Sequence, residues 1–457
     1  MRLTPMSIIR QGSLFDMQDL YELEPSKRFE AVFSTLHIEP LLFAVNKKTV
    51  YGAPTELNYP AMLYALVARI LERIPTIKDL IKRLKQDFMF RLDCGFLFSD
   101  RIPSEASFSR LVSKLSDTTA LEMVQESLLL QAIQEGFVCD EAVAIDATHF
   151  ESRDRSTPQE KKEPQEPKKR GRKSKAEQEA FQLEVQEREN KKSIYEKKIE
   201  SQLPTSLQTL RTEAPLEPNW GIKKNSEGKN TFWFGFKAHL AVGTSSQYIL
   251  QSMMTSASLN DGKAAIPLLK GIQERLPSLS IRYGLMDAGY DYVPIYQQLL
   301  NMNAYGIIAY NKRNEGEVIG YDEHFAPTCV REHSYRYDSF DEKYRSLKYV
   351  RPKECDTCPL SSDSLCQKVY KVKIETDIRR YTAPGRGSDA WKKLYKQRTA
   401  VERVNAYLKE FFQLKNVRYR TGKKAKVHFN LITLVYNSTK LAVDRINKQM
   451  KEMKLAA

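Results

Sequence analysis

The amino-acid sequence predicts a mixed α/β core that follows an all-helical N-terminal domain and carries a cysteine-bearing insertion. Three observations lead to this prediction. Residues 1–136 place apolar side chains at helical spacing. From about residue 142, strand patterns appear, first in succession and then alternating with helix patterns, which indicates a mixed sheet flanked by helices and not a barrel. Four of the six cysteines fall between residues 311 and 386.

The 457-residue chain is basic, and its length suggests about three folding units. It has 72 Lys and Arg against 57 Asp and Glu, a formal net charge of +15, which favours anionic partners and nucleic acid first among them. Six cysteines are too few for a secreted disulfide scaffold. No signal-peptide pattern begins the chain, and Arg69 interrupts the most apolar window well short of a membrane span. We therefore expect a cytoplasmic protein without a membrane partner.

Residues 1–136 are predicted to form a helical domain for DNA binding or dimerisation. Its clearest helix patterns are Pro60–Arg73, Ile77–Phe88 and Glu105–Leu115. Ser104 has the position of an N-cap, and the helix after it carries Arg110 and Lys114 one turn apart, a spacing that suits DNA phosphates. A domain that only packs its apolar helix faces is the alternative.

The core is predicted to begin at residues 137–154 and to continue at residues 229–310. The apolar run from Ala142 ends on a carboxylate, so we expect a buried strand with Asp146 at its exposed end. Asp287 also follows an apolar run, and Gly289 after it permits a tight turn. Further strands are predicted at Thr231–Val242, Tyr248–Ser256, Ile281–Met286 and Tyr305–Ala309, and helices at Gly262–Arg275 and Val293–Met302.

Two segments interrupt this core. Residues 155–228 form a charged insertion, with a proline-containing tether followed by a solvated helix. Within it, the basic run 168–175, which includes Arg170 and Arg172, resembles a DNA minor-groove arm, although such runs are also typical of solvated surfaces.

Residues 311–386 form the second insertion, which contains the four clustered cysteines. Cys355 and Cys358 have the two-residue spacing of a metal-chelating pair, and Cys329 and Cys366 are able to complete a four-thiolate Zn²⁺ site. Unpaired structural thiols are the alternative.

Residues 387–457 complete the core with a helix that presents one acid among cationic groups. At 100° per residue, Tyr395, Arg398, Glu402 and Lys409 fall within a stripe about 60° wide. Between residues 392 and 426 the chain has twelve Lys or Arg and only two acids, the footprint of a polyanion track. Its further DNA-binding candidates are Arg403, Lys415, Arg418, Arg420, Lys423 and Lys424.

Asp146, Asp287 and Glu402 together form a candidate catalytic triad of carboxylates. Two strand-end aspartates and one helix glutamate are able to hold two Mg²⁺ or Mn²⁺ ions, one for the nucleophile and one for the leaving oxygen.

The spacing Tyr395-x2-Arg398-x3-Glu402-x6-Lys409 resembles, without a gap, the Tyr-Arg-Glu-Lys signature of bacterial insertion-sequence transposases of the DDE class. This resemblance implies an RNase H-like catalytic core that uses Asp146, Asp287 and Glu402. It also implies that Tyr395, Arg398 and Lys409 hold the phosphates of the transposon end. Further segments similar to this group are 87–91, 104–115, 145–148, 232–239 and 286–291.

The predicted function is therefore DNA transposition at the bacterial nucleoid. Such a transposase binds the terminal inverted repeats of an insertion sequence, cuts at the element's ends and joins the freed 3′-OH to target DNA. Joining two ends requires two catalytic sites, so we expect at least a homodimer on DNA. Two alternatives stay open: a non-catalytic DNA-binding descendant of a transposase, and an RNase H-fold endonuclease that only hydrolyses.

Overall fold

The computed structural model describes residues 16–46, 57–156, 175–224, 227–316, 318–362 and 366–456. Helices occupy the described part of the chain before residue 137, as the apolar spacing predicts. They are α1 (Met17–Glu22), α2 (Pro25–Phe33), α3 (Glu39–Val45), α4 (Tyr59–Leu71), α5 (Ile77–Gln86), α6 (Phe88–Asp93), α7 (Glu105–Ser116) and α8 (Ala120–Gln134).

Capping side chains set the boundaries of these helices. The Ser104 hydroxyl accepts a hydrogen bond from the Ser107 backbone N–H at 3.2 Å, which confirms the predicted N-cap of α7. The helix predicted over 77–88 ends two residues early, at Gln86. The reason is local, because the Asp87 carboxylate caps the next helix by accepting from the Phe90 N–H at 3.0 Å.

One mixed sheet of six strands forms the centre of the molecule. Its strands are β1 (Ala142–Glu151), β2 (Asn219–Lys224), β3 (Asn230–Gly243), β4 (Ile249–Ser256), β5 (Tyr283–Met286) and β6 (Tyr305–Ile308). Their order is β2-β3-β1-β5-β6, and β4 pairs with β3. The pairings of β3 with β1, β2 and β4 are antiparallel, whereas β1–β5 and β5–β6 are parallel. Sequence reasoning predicted five of these strands and missed the short edge strand β2.

Helices follow or connect these strands. They are α9 (Lys175–Lys191), α10 (Leu207–Thr212), α11 (Gly262–Arg275) and α12 (Val293–Asn301). Helix α9 is exposed along its described side chains, as predicted for a solvated helix. Helix α11 has the predicted bounds, and α12 ends one residue before the predicted Met302. The alternation of buried strand and amphipathic helix thus places α11 and α12 between the last three strands.

The second insertion contains a separate antiparallel sheet in the order β7 (Arg336–Asp341), β8 (Ser346–Val350) and β9 (Val369–Lys373). It has its own small core of buried aromatic and aliphatic side chains, including Tyr335, Leu347 and Tyr349.

A buried carboxylate joins this insertion to the central sheet. Asp291 is fully buried and accepts hydrogen bonds from the Tyr296 hydroxyl at 2.9 Å and from the Arg379 guanidinium at 2.7 Å.

The chain ends in α13 (Asp389–Lys396), α14 (Thr399–Glu410) and the long α15 (Gly422–Ala456). Helix α15 packs on α2, α7 and α8 and also on β4, so the N-terminal helices and the sheet share one continuous hydrophobic core. None of the described helices is long and apolar enough to cross a membrane.

A buried amide fastens α15 to the sheet. The Asn437 side chain accepts a hydrogen bond from the Ile249 backbone N–H at 3.0 Å and donates one to the Ile249 carbonyl at 2.9 Å. Asn437 is fully buried, so both contacts lie away from water.

We expect Asn437→Leu to lower the free energy of unfolding by about 3 kcal/mol, because it removes the side-chain partner of two buried backbone groups. Chemical unfolding of the purified protein measures this value. Gln449→Leu, an exposed position on the same helix, is the matched control and should change the free energy by less than about 0.5 kcal/mol. Equal stabilities of the two variants would contradict the role assigned to Asn437.

Candidate active site

The pairing of β1 with β5 brings two aspartates to the same level of the sheet. The parallel ladder joins Ala142–Ala144 to Tyr283–Leu285, and its last pair is Ala144 with Leu285. Asp146 and Asp287 each lie two residues beyond that pair. The prediction that β1 ends at Asp146 is wrong, since β1 continues to Glu151 and Asp146 still pairs with Leu240 of β3. Asp146 is accessible because the neighbouring strand β5 ends at Met286, whereas β1 itself continues past Asp146.

Asp287 is held by the turn that follows β5. Its Oδ1 atom accepts a hydrogen bond from the Gly289 N–H at 2.9 Å and caps a short 3₁₀ turn over Ala288–Tyr290. A Cβ atom at position 289 would lie 3.0 Å from that same oxygen. Glycine therefore lets the backbone approach the carboxylate closely, which agrees with the predicted tight turn.

Glu402 lies on α14 and faces the two aspartates. The prediction of a shared stripe treated Tyr395 to Lys409 as one helix. In the structure the helix is interrupted between Lys396, the last residue of α13, and Thr399, the first residue of α14. The side chains nevertheless converge. Arg398 Nη1 lies 2.8 Å from Glu402 Oε1, and the Arg398 guanidinium lies over the Tyr395 ring at 5.7 Å from its centroid.

Asp146, Asp287, Glu402 and Arg398 line one cavity of about 320 Å³. The cavity also contains residues that sequence reasoning did not select as site residues. They are Ala147, Thr148, His149, Ile222, Lys223, Trp233, Lys237 and Asp261. Several of these come from β2 and β3, whose approach to β1 depends on tertiary pairing. Lys237 lies within the family-like segment 232–239, which was the only sequence signal for it.

Burial and charge shift the titration of groups in this cavity. Burial raises the pKa of Asp146 to about 6. A hydrogen bond with the Ala147 backbone acts in the opposite direction, and the charge of Asp287 raises the pKa further. Burial also lowers the pKa of His149 to about 4, helped by Lys409 and Lys223. The imidazole is therefore neutral at pH 7, and its ring packs on Trp233 with centroids 4.8 Å apart.

Lys409 lies near this cavity without lining it. It is half-buried, and its pKa is lowered by burial first and then by Lys415 and Lys223, with Asp146 acting in the opposite direction. Lys409, Lys415 and Lys223 therefore act on one another electrostatically, and Lys409 also interacts with Asp146 of the cavity.

The other sequence-predicted DNA-binding residues form two groups. Arg403, Lys415, Arg418, Arg420 and Lys423 are exposed, and Lys424 is half-buried, along the chain between α14 and the start of α15. In the N-terminal helices, Arg110 is exposed, whereas the Lys114 ammonium donates to the Val45 carbonyl at 2.7 Å and to the Tyr59 hydroxyl at 3.1 Å. Arg170 and Arg172 lie outside the described residues.

The four insertion cysteines lie around one small cavity of about 70 Å³. Cys329, Cys355, Cys358 and Cys366 all line it, and none of them forms a disulfide. Turns shape this region, since the Cys358 N–H donates to the Cys355 carbonyl at 3.3 Å. Across the described ranges, no group of three or more His, Cys, Asp or Glu residues has an arrangement that could hold a metal ion.

His239, in the family-like segment 232–239, has a structural position. It is a fully buried residue of β3, and its Nε2 lies 2.8 Å from the hydroxyl of Thr255 on the neighbouring strand β4. Burial lowers its pKa to about 4. His239 is therefore a neutral part of the core and lies outside the carboxylate cavity.

The sheet order and the carboxylate cavity fit the RNase H-like class of proteins, in which a mixed sheet flanked by helices presents acids at one edge. Two family models match the sequence: Transposase DDE domain over residues 200–438, and Transposase domain (DUF772) over residues 18–114. The first match covers more than half of the chain, so the chain belongs to the DDE transposase family. The matched range includes Asp287 and Glu402. Asp146 lies before this range, and the pairing of β1 with β5 brings it beside Asp287. No curated protein matches the sequence.

We expect the buried His239 to make the protein less stable in acid. Its folded pKa of about 4 lies below the ordinary 6.5, so the unfolded chain binds the proton more readily between these values. The free energy of unfolding should fall as the pH drops from 6.5 towards 4, by about 2 kcal/mol at pH 5 from this residue, and this contribution should vanish above pH 6.5. Chemical unfolding at pH 7.5 and pH 5 measures the change.

His239→Gln should remove that part of the pH dependence, because glutamine does not titrate. His37→Gln, at an exposed histidine, is the control and should retain it. The same pH dependence in both variants would assign the acid sensitivity to other groups.

Proposed function

We propose that this transposase binds the terminal inverted repeats of an insertion sequence and performs metal-dependent DNA cleavage and strand transfer with Asp146, Asp287 and Glu402. The observation that carries the proposal is the single cavity lined by these three carboxylates, which come from two strands and a helix. Membership of the DDE transposase family supports it.

The donor set of this cavity suits two Mg²⁺ or Mn²⁺ ions. Carboxylate oxygens are the ligands these ions prefer, and we assign Asp146, Asp287 and Glu402 as the residues that would hold them. When bound, such ions activate the attacking oxygen and stabilise the leaving oxygen of a phosphoryl transfer.

We propose that Glu402 exchanges its Arg398 partner for metal. Its side chain is 47% exposed, and an ion pair at such a site contributes only about 0–1 kcal/mol, so the exchange costs little. The absence of a ready-made metal arrangement among the described side chains is consistent with this pairing.

The cationic groups beside the carboxylates are proposed to hold DNA phosphates. Arg398, once free of Glu402, presents a planar guanidinium to a phosphate, and the Tyr395 ring under it restricts its orientation. Lys409 adds a point charge on the next turns of α14. These side chains position the transposon end so that its scissile phosphate lies at the carboxylates.

Basic residues of α14, of the segment after it and of the first turn of α15 extend this contact along the duplex. We propose that Arg403, Lys415, Arg418, Arg420, Lys423 and Lys424 neutralise backbone phosphates, with Arg110, Lys114, Arg170 and Arg172 as further candidates from the N-terminal helices and the first insertion. Because two ends have to be joined, the active species is at least a homodimer on DNA, and it acts in the cytoplasm at the nucleoid.

We also propose that Cys329, Cys355, Cys358 and Cys366 bind one structural Zn²⁺. Their common cavity and their free thiols support this proposal. The described side chains do not already form a metal-holding group, so Zn²⁺ binding requires the thiols to rearrange.

We expect Asp146→Asn, Asp287→Asn and Glu402→Gln each to abolish cleavage and strand transfer while DNA affinity stays within a few-fold of the parent. The amide keeps the side-chain size but removes the charge that holds the metal. End-containing duplexes with Mg²⁺ or Mn²⁺ are scored for nicked, cut and joined products beside a binding titration.

Glu410→Gln is the matched control, because it removes an exposed acid from the same helix outside the cavity. It should retain activity. Full product formation by Glu402→Gln would remove that residue from the active site. Cut products that are never joined by the parent protein would favour a hydrolytic endonuclease, and binding without any cutting would favour a non-catalytic DNA-binding protein.

We expect protein purified without chelator to contain close to one zinc per chain, and Cys358→Ser to lose both the zinc and thermal stability. Cys139→Ser, at an exposed free cysteine outside the insertion, is the control and should keep both. Metal analysis and thermal unfolding measure these properties. Zinc at background level in the parent protein would refute the site.

A further inference from the structure

Lys237 is a largely buried cation in the wall of the carboxylate cavity. It lies in the middle of β3, pairs with His149 of β1, and lines the cavity together with Asp146 and Asp287. Its side chain is only 15% exposed. Burying a lysine is costly unless its charge is compensated, so its position there calls for a partner.

Two oxygens hold the ammonium group in place. Lys237 Nζ donates to the Leu259 carbonyl at 2.8 Å and lies 2.8 Å from Asp261 Oδ1. Both come from the segment that connects β4 to α11, so the cation is fixed between two parts of the core. An ammonium has three N–H donors. The Leu259 carbonyl accepts a hydrogen bond from one of them, and the contact with Asp261 is an ion pair. Donor capacity is therefore left for a ligand in the cavity.

The other cations of the cavity differ from Lys237. Arg398 is paired with Glu402, the acid proposed to bind metal, whereas Lys237 has a backbone carbonyl as a partner in addition to its acid. Lys223 is an exposed residue on the edge strand β2. A fixed, desolvated cation stabilises developing negative charge more effectively than a mobile exposed one, because it needs no reorganisation during the reaction.

We propose that Lys237 is a further catalytic residue, whose ammonium contacts a non-bridging oxygen of the scissile phosphate. This inference rests on the proposed DNA cleavage. As the bond from the nucleophile to phosphorus forms and the bond to the leaving oxygen breaks, negative charge is spread over the non-bridging oxygens. Lys237 acts through its fixed charge and transfers no proton, and Asp261 is a positioning residue that holds the ammonium in place.

The test compares cleavage of two end-containing duplexes by the full-length protein. One has an ordinary scissile phosphate. The other has a methylphosphonate there, in which a neutral methyl group replaces one non-bridging oxygen, and each stereoisomer is assayed separately. Single-turnover rates are measured for the parent, Lys237→Met, Lys237→Arg, Asp261→Asn and Lys223→Met, with thermal unfolding and DNA affinity measured alongside.

We expect Lys237→Met to lower the rate on the phosphate substrate by about 100-fold, the effect of losing one preorganised donor. On one methylphosphonate stereoisomer its rate should approach that of the parent, because the oxygen that Lys237 would contact is already missing. Lys237→Arg should recover part of the loss, and Asp261→Asn should show a smaller loss with the same substrate dependence. Lys223→Met should show equal ratios between the two substrates.

Several outcomes would overturn the proposal. A Lys237→Met protein that cleaves the phosphate substrate at the parent's rate would do so directly. The same parent-to-variant ratio on the phosphate and on both methylphosphonates would assign Lys237 a structural role. If Lys237→Met does not fold, Asp261→Asn and Lys237→Arg decide the question. The proposal is overturned if both variants have the parent's ratio of rates on the phosphate and methylphosphonate substrates. A parent protein that does not cleave the phosphate substrate would instead refute the proposed function.

Discussion

The parallel register between β1 and β5 is the constraint on which the candidate active site depends. Ala144 pairs with Leu285, so Asp146 and Asp287 leave the ladder at the same level and on neighbouring strands. Both strands are buried along their paired residues, which makes a shift of register costly. A slip of one residue would turn one of the two aspartates to the opposite face. The hydrophobic pattern of these strands therefore sets the distance between the two acids.

Charge pairing determines how this cavity is arranged before it meets DNA. Glu402 is paired with Arg398, and Asp261 with Lys237, each at 2.8 Å. The first pair is partly exposed and easily exchanged, whereas the lysine of the second is largely buried and has an additional carbonyl partner. The cavity thus contains one ion pair on α14 with an exposed acid and one on β3 whose lysine is held by two oxygens.

The long helix α15 and one buried carboxylate connect this cavity to the rest of the chain. Helix α15 contacts both the N-terminal helices and β4, so it packs the helical part of the chain directly against the sheet. Asp291 directly follows the turn after Asp287 and anchors the cysteine-bearing insertion through Arg379. The insertion is therefore fastened to the same turn that holds Asp287.

The sequence alone was sufficient for much of the fold, because apolar periodicity reports local burial. Helix α11, most strands and the Ser104 cap followed from spacing within a few residues. Asp146 and Asp287 were selected because each follows an apolar run, and Glu402 because it is one acid among cationic groups on a helix face. Their roles stay predictions, but their convergence is a feature of the structure. What periodicity could not decide was the continuation of β1 past Asp146, the break between α13 and α14, and the edge strand β2. Nor did it identify Lys237 and Asp261 as neighbours of these acids. Those features depend on pairing between distant segments, and such pairing is decided by tertiary packing, for which a single sequence carries no local signal.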